Sequence, residues 1–290
     1  MAKKLNRWDF QEMKAKGEQC AWITAYDYPT ASFAEAAGID MILVGDSMGM
    51  VVFGYEGTVP VTMEQCIMLT KAVRTGAPNT WVIGDMPFMS YHSSVSQAID
   101  NAGRFIKEAG ADCVKLEGGV RVADKIRGIV DAGILVMGHI GLTPQSSAAL
   151  GGFKAQGRDA AGARAVIDDA LAVVEAGAFA VLVEGVPEEV TAFLAKNLPV
   201  PVYGIGAGLC DGQVQVVGDL LGLFTAFTPK FGKKYANLAE IETKAFKDFI
   251  ADVKARRYPA DEHKYHALKG EEGALKKLFK EYEKKGTPKP

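Results

Sequence analysis

The sequence lacks any apolar run long enough to span a bilayer, and its charged first residues, MAKKLNRWDFQEMKAKGEQ, contain no apolar signal core. These absences predict a cytoplasmic protein with no membrane partner. Lys and Arg form no basic stripe before the C-terminal residues, and the formal net charge is -2, which argues against a nucleic-acid partner. We therefore expect a small-molecule substrate.

Cysteine is also scarce, and no two cysteines lie close together in the sequence. Zinc sites usually draw on closely spaced pairs, so the spacing argues against such a site. The surroundings are mostly apolar, which predicts buried, reduced thiols at Cys20, Cys66, Cys113 and Cys210. The glycine fingerprint of dinucleotide-binding folds is likewise missing from the first predicted strand-to-helix turn.

The chain does contain a repeated unit of apolar strand, turn and amphipathic helix, closed by glycine phrases such as EAAGID and KEAGAD. A length of 290 residues, 48% of them hydrophobic, fits one large α/β domain. Strands are predicted at 22–27, 40–46, 81–85, 113–117, 134–140, 179–185, 201–206 and, from a weaker pattern, 221–227. Eight strands alternating with helices favour a (β/α)8 TIM barrel over an open, doubly wound sheet.

The C-terminal part of the chain has a different composition, helical and charged beyond residue 240 and rich in Lys over 270–290. We predict a single catalytic barrel with an N-terminal helix over residues 1–265. A charged helical tail is predicted over 266–290, with a frayed end at TPKP.

Acidic residues end three of the predicted strands: Asp46, Asp85 and Glu117. The carboxyl ends of barrel strands meet at one face, so these three carboxylates are predicted to converge on a divalent cation. Oxygen ligands suit magnesium and argue against zinc. The same face is predicted to collect further polar groups: Asp27, Ser47, Lys115, His139, Glu184 and the GIGAG loop at 204–208. For Asp27 or Ser47 alone, a helix cap or loop hydrogen bond is an equally good interpretation.

Lys115 lies two residues before Glu117 on one strand, so both side chains point inward. There the ammonium would stabilise a carboxylate or a developing enolate, although a buried ion pair that only neutralises charge is the alternative. A metal-bound carboxylate is a poor proton acceptor, so the base should not be a ligand. Glu184, which follows the apolar run FAVLV, is the preferred base, with His139 as an orienting donor.

Longer motifs carry a family resemblance: TAYDYPTA, ILVGDSMGM, TVPVTMEQ, DMPFMSY, VKLEGG, GHIGLTPQS, GGFKAQGR, GIGAG followed by DGQV, and PKF. From about residue 5 to residue 266 they resemble, in order, the motifs of the ketopantoate (3-methyl-2-oxobutanoate) hydroxymethyltransferase family. The resemblance implies a TIM barrel of the phosphoenolpyruvate-mutase-like type. It also implies that a hydroxymethyl group passes from 5,10-methylenetetrahydrofolate to 3-methyl-2-oxobutanoate through a magnesium-stabilised enolate. The product would be 2-dehydropantoate (ketopantoate), a precursor in pantothenate biosynthesis.

The resemblance also assigns roles by motif. It implies a Mg²⁺ site at Asp46, Asp85 and Glu117, and substrate contacts at Asp46, Ser47, Asp85 and Lys115. Glu184 matches the proton acceptor, and His139 resembles a further pocket residue. The family further implies a homo-oligomer, a decamer of pentameric rings, in which segment 5–17 is a swapped or interface helix.

The chain departs from the family pattern beside the proposed base. It reads VEGVP where the family usually reads LECVP, so Gly185 replaces a cysteine and is expected to loosen the surroundings of Glu184. Gly218 likewise stands where a histidine before DLLG is usual.

Two other functions stay open. One is a phosphoenolpyruvate-mutase-like lyase that uses GIGAG as a phosphate cradle. Such a lyase should carry a cysteine in a KKCGH-like loop, and the corresponding FGYEGTVPVTM has none. The other is a non-catalytic oxo-acid-binding or assembly protein, which the retained Lys115, Glu117 and Glu184 argue against.

Overall fold

The protein is a closed barrel of eight parallel strands in a computed structural model that describes residues 4–227 and 229–286. Each strand pairs with the next in the chain, and the last pairs with the first. The strands are β1 (Cys20–Thr24), β2 (Met41–Val44), β3 (Trp81–Asp85), β4 (Cys113–Glu117), β5 (Val136–Gly141), β6 (Ala180–Glu184), β7 (Val202–Ile205) and β8 (Gly212–Gln215). The predicted TIM barrel is confirmed.

Helices alternate with the strands. They are α1 (Arg7–Lys16), α2 (Tyr28–Ala37), α3 (Met48–Val51), α4 (Met63–Gly76), α5 (Val95–Ala109), α6 (Ala123–Asp131), α7 (Ala160–Glu175), α8 (Glu188–Asn197) and α9 (Val217–Leu220), followed by α10 (Leu238–Lys254) and α11 (Glu272–Lys285). Short 3-10 turns lie at Val120–Val122, Pro144–Ser146 and Asp261–His263.

The prediction for the eighth strand was wrong. Residues 221–227 form turns and irregular chain, with Leu223 and Phe227 exposed, whereas β8 is the short segment GQVQ. This segment pairs with β1 from Cys20–Gly212 to Ile23–Gln215, and its burial alternates instead of running apolar throughout. A Cβ on Gly212 would lie 2.3 Å from the Cys20 carbonyl oxygen, so the close approach of the two strands requires glycine.

Alternation along the strands separates two cores. Residues such as Val82 and Val114 face the surrounding helices, whereas Ile83, Cys113 and Met137 pack with one another inside the barrel. On β3 and β4 the inward positions therefore start apolar and end with charged residues. The packed interior supports a polar mouth at the carboxyl ends of the strands.

Helix α1 closes the opposite end of the barrel. Phe10 is buried among the interior residues and makes an edge contact with Trp81, with ring centroids 5.4 Å apart. Lys14 Nζ pairs with Asp211 Oδ2 at 2.7 Å, which fixes the helix to the turn before β8. The segment predicted as an interface helix thus packs on its own barrel, and its role between subunits stays a prediction.

The chain divides into two units, residues 1–237 and 238–290. The second contains α10 and α11, whose apolar side chains, such as Phe246 and Phe279, are exposed. The boundary predicted at residue 265 falls inside this unit and stays a prediction, and the TPKP end lies outside the described residues.

All four cysteines are buried and free, as predicted. In the described part of the chain, no helix combines the length and apolarity needed to cross a membrane.

Candidate active site

The mouth of the barrel brings together six ionisable residues from consecutive strands. β2 leads into Asp46, β3 ends at Asp85, β4 carries Lys115 and Glu117, β5 carries His139, and β6 ends at Glu184. Five of them are buried, and the Glu184 side chain is 15% exposed. Strand register explains the grouping, because Asp85 is paired with Lys115 and Glu117 with His139.

Lys115 contacts three other residues of this cluster. Its Nζ lies 2.8 Å from Asp85 Oδ1, 3.8 Å from Glu117 Oε1 and 3.2 Å from His139 Nδ1. An ammonium group can only donate, so His139 Nδ1 accepts and its Nε2 carries the ring proton. That Nε2 lies 3.3 Å from Glu184 Oε2. A continuous row of groups therefore runs from Asp85 through Lys115 and His139 to Glu184.

The three buried carboxylates strongly affect one another. Burial, reinforced by neighbouring carboxylates, raises the pKa of Asp46 to about 6 and the pKa values of Asp85 and Glu117 to about 7. Burial also opposes the charge of Lys115, but the carboxylates outweigh it and the pKa of Lys115 rises. An ammonium shared by three carboxylates leaves the mouth with excess negative charge once they ionise.

The pKa values of Glu184 and His139 shift in opposite directions. Burial raises the pKa of Glu184, which makes it a better proton acceptor than an exposed carboxylate. Burial and the charge of Lys115 lower the pKa of His139 to about 4, so the imidazole is neutral near pH 7. The Nε2 atom of this neutral imidazole lies 3.3 Å from Glu184 Oε2 but makes no well-directed hydrogen bond to any described residue. The pairing of a base with an orienting donor stays a prediction.

The chemistry of the donors fits magnesium. Two buried oxygens, Asp85 Oδ1 and Glu117 Oε1, accept no well-directed hydrogen bond from any described residue, although Lys115 Nζ lies near both. Within residues 4–227 and 229–286, no three His, Cys, Asp or Glu side chains converge as a ready ligand cluster. Magnesium is usually held by one or two carboxylates and completed by water or substrate, which suits this arrangement. The three-ligand set stays a prediction.

Other predicted site residues occupy different environments. Ser47 is half-buried beside Asp46, and its hydroxyl lies 2.9 Å from the Tyr26 hydroxyl. Asp27 is exposed and caps α2 by accepting from the Thr30 N–H, so the helix-cap interpretation applies to it. In the GIGAG loop, a Cβ on Gly208 would lie 2.6 Å from Glu188 Cβ, so this glycine permits close packing.

Gly185 follows the base directly and has a left-handed backbone, with φ of +57°. Its N–H donates to the Ile205 carbonyl and its own carbonyl accepts from the Gln156 N–H. A Cβ here would lie 3.2 Å from Leu142 Cβ. The backbone beside Glu184 is thus held on both sides, and glycine suits its conformation.

The sequence-based reasoning missed two buried neutral residues in the cluster, Tyr91 and Gln145. Gln145 Nε2 donates to Asp46 Oδ2 at 2.8 Å, and the Tyr91 hydroxyl donates to Gln145 Oε1 at 2.7 Å. Both residues stand within quoted motifs, DMPFMSY and GHIGLTPQS. Neither side chain is charged, so a pattern of charged residues at strand ends does not reveal them.

Sequence comparison identifies close relatives. The family model described as ketopantoate hydroxymethyltransferase matches residues 4–261. The 3-methyl-2-oxobutanoate hydroxymethyltransferase of Alkaliphilus metalliredigens (strain QYMF) is 64% identical over 282 residues, covering 97% of this chain and 100% of the relative. The enzyme of the same name from Moorella thermoacetica (strain ATCC 39073 / JCM 9320) is 54% identical, covering 88% and 95% of the two chains.

Structural comparison finds more distant neighbours. A phosphoenolpyruvate phosphomutase from Streptomyces platensis subsp. rosaceus superposes with a TM-score of 0.59 at 17% identity, covering 97% of this chain and 99% of that one. A 2,3-dimethylmalate lyase of the PEP mutase/isocitrate lyase superfamily gives 0.57 at 13%, covering 97% and 98%. At this identity the likeness shows the fold alone, which is the predicted phosphoenolpyruvate-mutase-like barrel.

Proposed function

The chain belongs to the ketopantoate hydroxymethyltransferase family, and on that premise we propose that it moves the one-carbon unit of 5,10-methylenetetrahydrofolate to 3-methyl-2-oxobutanoate with the help of Mg²⁺. It is an enzyme that transfers a hydroxymethyl group. Its product is ketopantoate, made for pantothenate synthesis. The observation that best supports this proposal is the row of contacts that links Glu184, His139 and Lys115 to the carboxylates at the mouth of the barrel.

Asp46 and Asp85 would hold the magnesium ion, and Glu117 is the predicted third ligand. The Asp46 backbone N–H donates to Asp85 Oδ2 at 3.0 Å, so the Asp85 carboxylate lies against the chain that follows the neighbouring strand β2. When bound there, magnesium supplies a Lewis acid that lowers the cost of negative charge on the oxo acid. The ion also balances the excess charge of the carboxylates, which Lys115 alone does not offset.

Glu184 would take the C3 proton of the oxo acid. Its raised pKa and partial exposure suit a base that must meet substrate, whereas Asp85 and Glu117 are fully enclosed. His139 Nε2 lies 3.3 Å from Glu184 Oε2, so its proton would direct that oxygen when substrate is bound and leave the other oxygen for the substrate. His139 would then serve as the orienting donor.

Lys115 and Ser47 would bind the oxo acid itself. Lys115 carries a charge held by its neighbours and lies inside the mouth, where it can stabilise a carboxylate or enolate oxygen. Ser47 is fixed beside Asp46 by the Tyr26 hydroxyl. These contacts would orient the substrate so that its C3 proton faces Glu184.

The carbon that loses its proton would then attack the one-carbon unit of the folate. In total, 3-methyl-2-oxobutanoate, 5,10-methylenetetrahydrofolate and water give ketopantoate and tetrahydrofolate. The chain needs no covalent intermediate on its own residues, since deprotonation and charge stabilisation suffice. The folate enters this proposal through family membership.

Assembly is also part of the proposal. We propose a homo-oligomer, and the decamer that the family resemblance implies would have a mass of about 310 kDa, ten times the 31.0 kDa of one chain. Light scattering of the purified protein measures this mass directly. The cytoplasmic location stays a prediction.

Proton NMR in deuterated water tests the reaction. Purified protein is mixed with 3-methyl-2-oxobutanoate and magnesium, with and without methylenetetrahydrofolate. We expect the C3 proton signal to disappear in both mixtures and ketopantoate to form only with folate. Folded protein that gives neither exchange nor product would refute the proposal and leave an oxo-acid-binding role.

A further inference from the structure

Gln145 occupies the centre of the polar cluster although it carries no charge. It lies in the 3-10 turn after β5 and is 4% exposed. Its Nε2 donates to Asp46 Oδ2 at 2.8 Å and to the Met86 carbonyl at 3.0 Å. Its backbone N–H donates to Glu117 Oε2 at 2.9 Å. One residue thus ties together the acidic ends of β2 and β4.

Tyr91 fixes which way the Gln145 amide points. The buried Tyr91 hydroxyl accepts from the Glu117 N–H at 3.1 Å and lies 2.7 Å from Gln145 Oε1. The hydroxyl also lies 3.1 Å from the Glu117 carbonyl oxygen, so its one proton has two possible acceptors and favours the shorter contact, on Gln145 Oε1. With Oε1 engaged, both Nε2 protons point at Asp46 and Met86. Every polar atom of the side chain is therefore used, and the amide has one favoured orientation.

We propose that Gln145 is a positioning residue that aims the Asp46 and Glu117 carboxylates for the cation and the oxo acid. Its amide holds Asp46 Oδ2 and its backbone N–H holds Glu117 Oε2. The second oxygen of each carboxylate takes no bond from Gln145, and for Glu117 that oxygen lies 3.8 Å from Lys115 Nζ and 3.4 Å from His139 Nδ1. This inference rests on the proposed magnesium and oxo-acid site.

A neutral donor suits this task better than a charged one. Lys or Arg at the same place would also hold the carboxylates, but it would cancel the negative charge that attracts a divalent cation. An acidic residue would repel both carboxylates and offer them no proton when ionised. An amide orients Asp46 and leaves its charge unchanged, while the bond to Glu117 comes from the backbone N–H and does not depend on the side chain. Residues that orient metal ligands typically change metal affinity or activity by about 10–100-fold when they are replaced.

The test compares Gln145→Met with Gln11→Met. Methionine has similar length and no amide donors, and Gln11 donates to a backbone carbonyl, that of Pro199, from the helix at the other end of the barrel. For each full-length protein, titration calorimetry gives the Mg²⁺ dissociation constant and initial rates give KM and kcat for the oxo acid. Thermal melting shows whether the protein is folded.

We expect Gln145→Met to weaken Mg²⁺ binding by about 10–100-fold and to raise KM, with Gln11→Met unchanged in both. Tyr91→Phe should weaken Mg²⁺ binding by a smaller factor, about 5-fold, because the amide stays in place and loses the bond that orients it. If Gln145→Met does not fold, Tyr91→Phe decides the question. Wild-type Mg²⁺ affinity and KM in either folded variant would overturn the inference. Failure of the wild type itself to bind Mg²⁺ would instead defeat the proposed function.

Discussion

Single residues at the mouth have separable roles in binding and in proton transfer. The Glu184 side chain lies beside His139, with its carboxylate where substrate would lie. Glu184→Gln keeps the shape of the side chain and an oxygen that accepts from His139. We expect substrate binding to persist and the rate of C3 proton exchange to fall by about 10²–10⁴-fold. Calorimetry and the NMR exchange rate measure the two effects, and intact turnover would reassign the base to His139.

Asp85 should show the opposite pattern. Its carboxylate pairs with Lys115 and accepts from the Asp46 N–H. Asp85→Ala therefore disturbs both the proposed cation site and the contacts of Lys115. We expect Mg²⁺-dependent binding of the oxo acid to be lost, and Asp46→Ala to behave in the same way. Calorimetry with and without Mg²⁺ measures this loss.

Asp27→Ala is the matched control for these two variants. It removes another aspartate that follows a strand, but this one only caps α2. The change should cost about 1 kcal/mol of stability and leave binding intact. Magnesium-dependent binding that survives in Asp85→Ala would move the cation site elsewhere.

At the level of elements, helix α1 contributes stability at the end of the barrel remote from the chemistry. Phe10 is buried against Trp81, so Phe10→Ala should lower the free energy of unfolding by about 3–5 kcal/mol. Trp8→Ala is the control, since Trp8 is 66% exposed on the same helix. Denaturant unfolding measures both variants. Protein that remains folded should keep the kcat of the wild type, and a selective loss of kcat would show that α1 affects the mouth.

Strand patterns made most of the fold predictable. The seven confirmed strands contain runs such as MILV and VYGI, in which burial on both faces leaves a sequence without charged residues. β8 escaped because its burial alternates and its contact with β1 depends on a glycine. The ionisable residues of the mouth were found because strand ends share one face. Gln145 was not found, because nothing in the sequence marks a neutral amide in a turn as part of the site. Only the folded structure shows that it contacts the carboxylates.

At the mouth of the barrel, ionisable carboxyl groups outnumber the one lysine, and this excess predicts how the free energy of unfolding depends on pH. The folded pKa values of Asp46, Asp85 and Glu117, about 6 to 7, exceed the ordinary values of 3.8 and 4.5, so the folded state binds more protons near pH 5. Their contribution to stability is full below pH 4 and is lost as the pH rises through 6–7. His139 acts in the opposite direction, because its lowered pKa adds stability as the pH rises from 4 to 6.5. Because three carboxyl groups act against one imidazole, we expect the free energy of unfolding to fall as the pH rises through 6–7.

Magnesium should reverse this loss, because it binds the ionised carboxylates of the folded state. At a concentration about 100 times its dissociation constant, it would add about 2.7 kcal/mol, or roughly 5–10 °C in Tm for a domain of this size. Melting curves at about pH 5.5 and pH 8, in EDTA or in Mg²⁺, measure the effect. We expect Mg²⁺ to stabilise the protein more at the higher pH and to have little effect on Asp85→Ala. Equal Tm values with EDTA and Mg²⁺ at pH 8 would contradict a cation site at these carboxylates, since a ligand that binds the folded state must raise its stability.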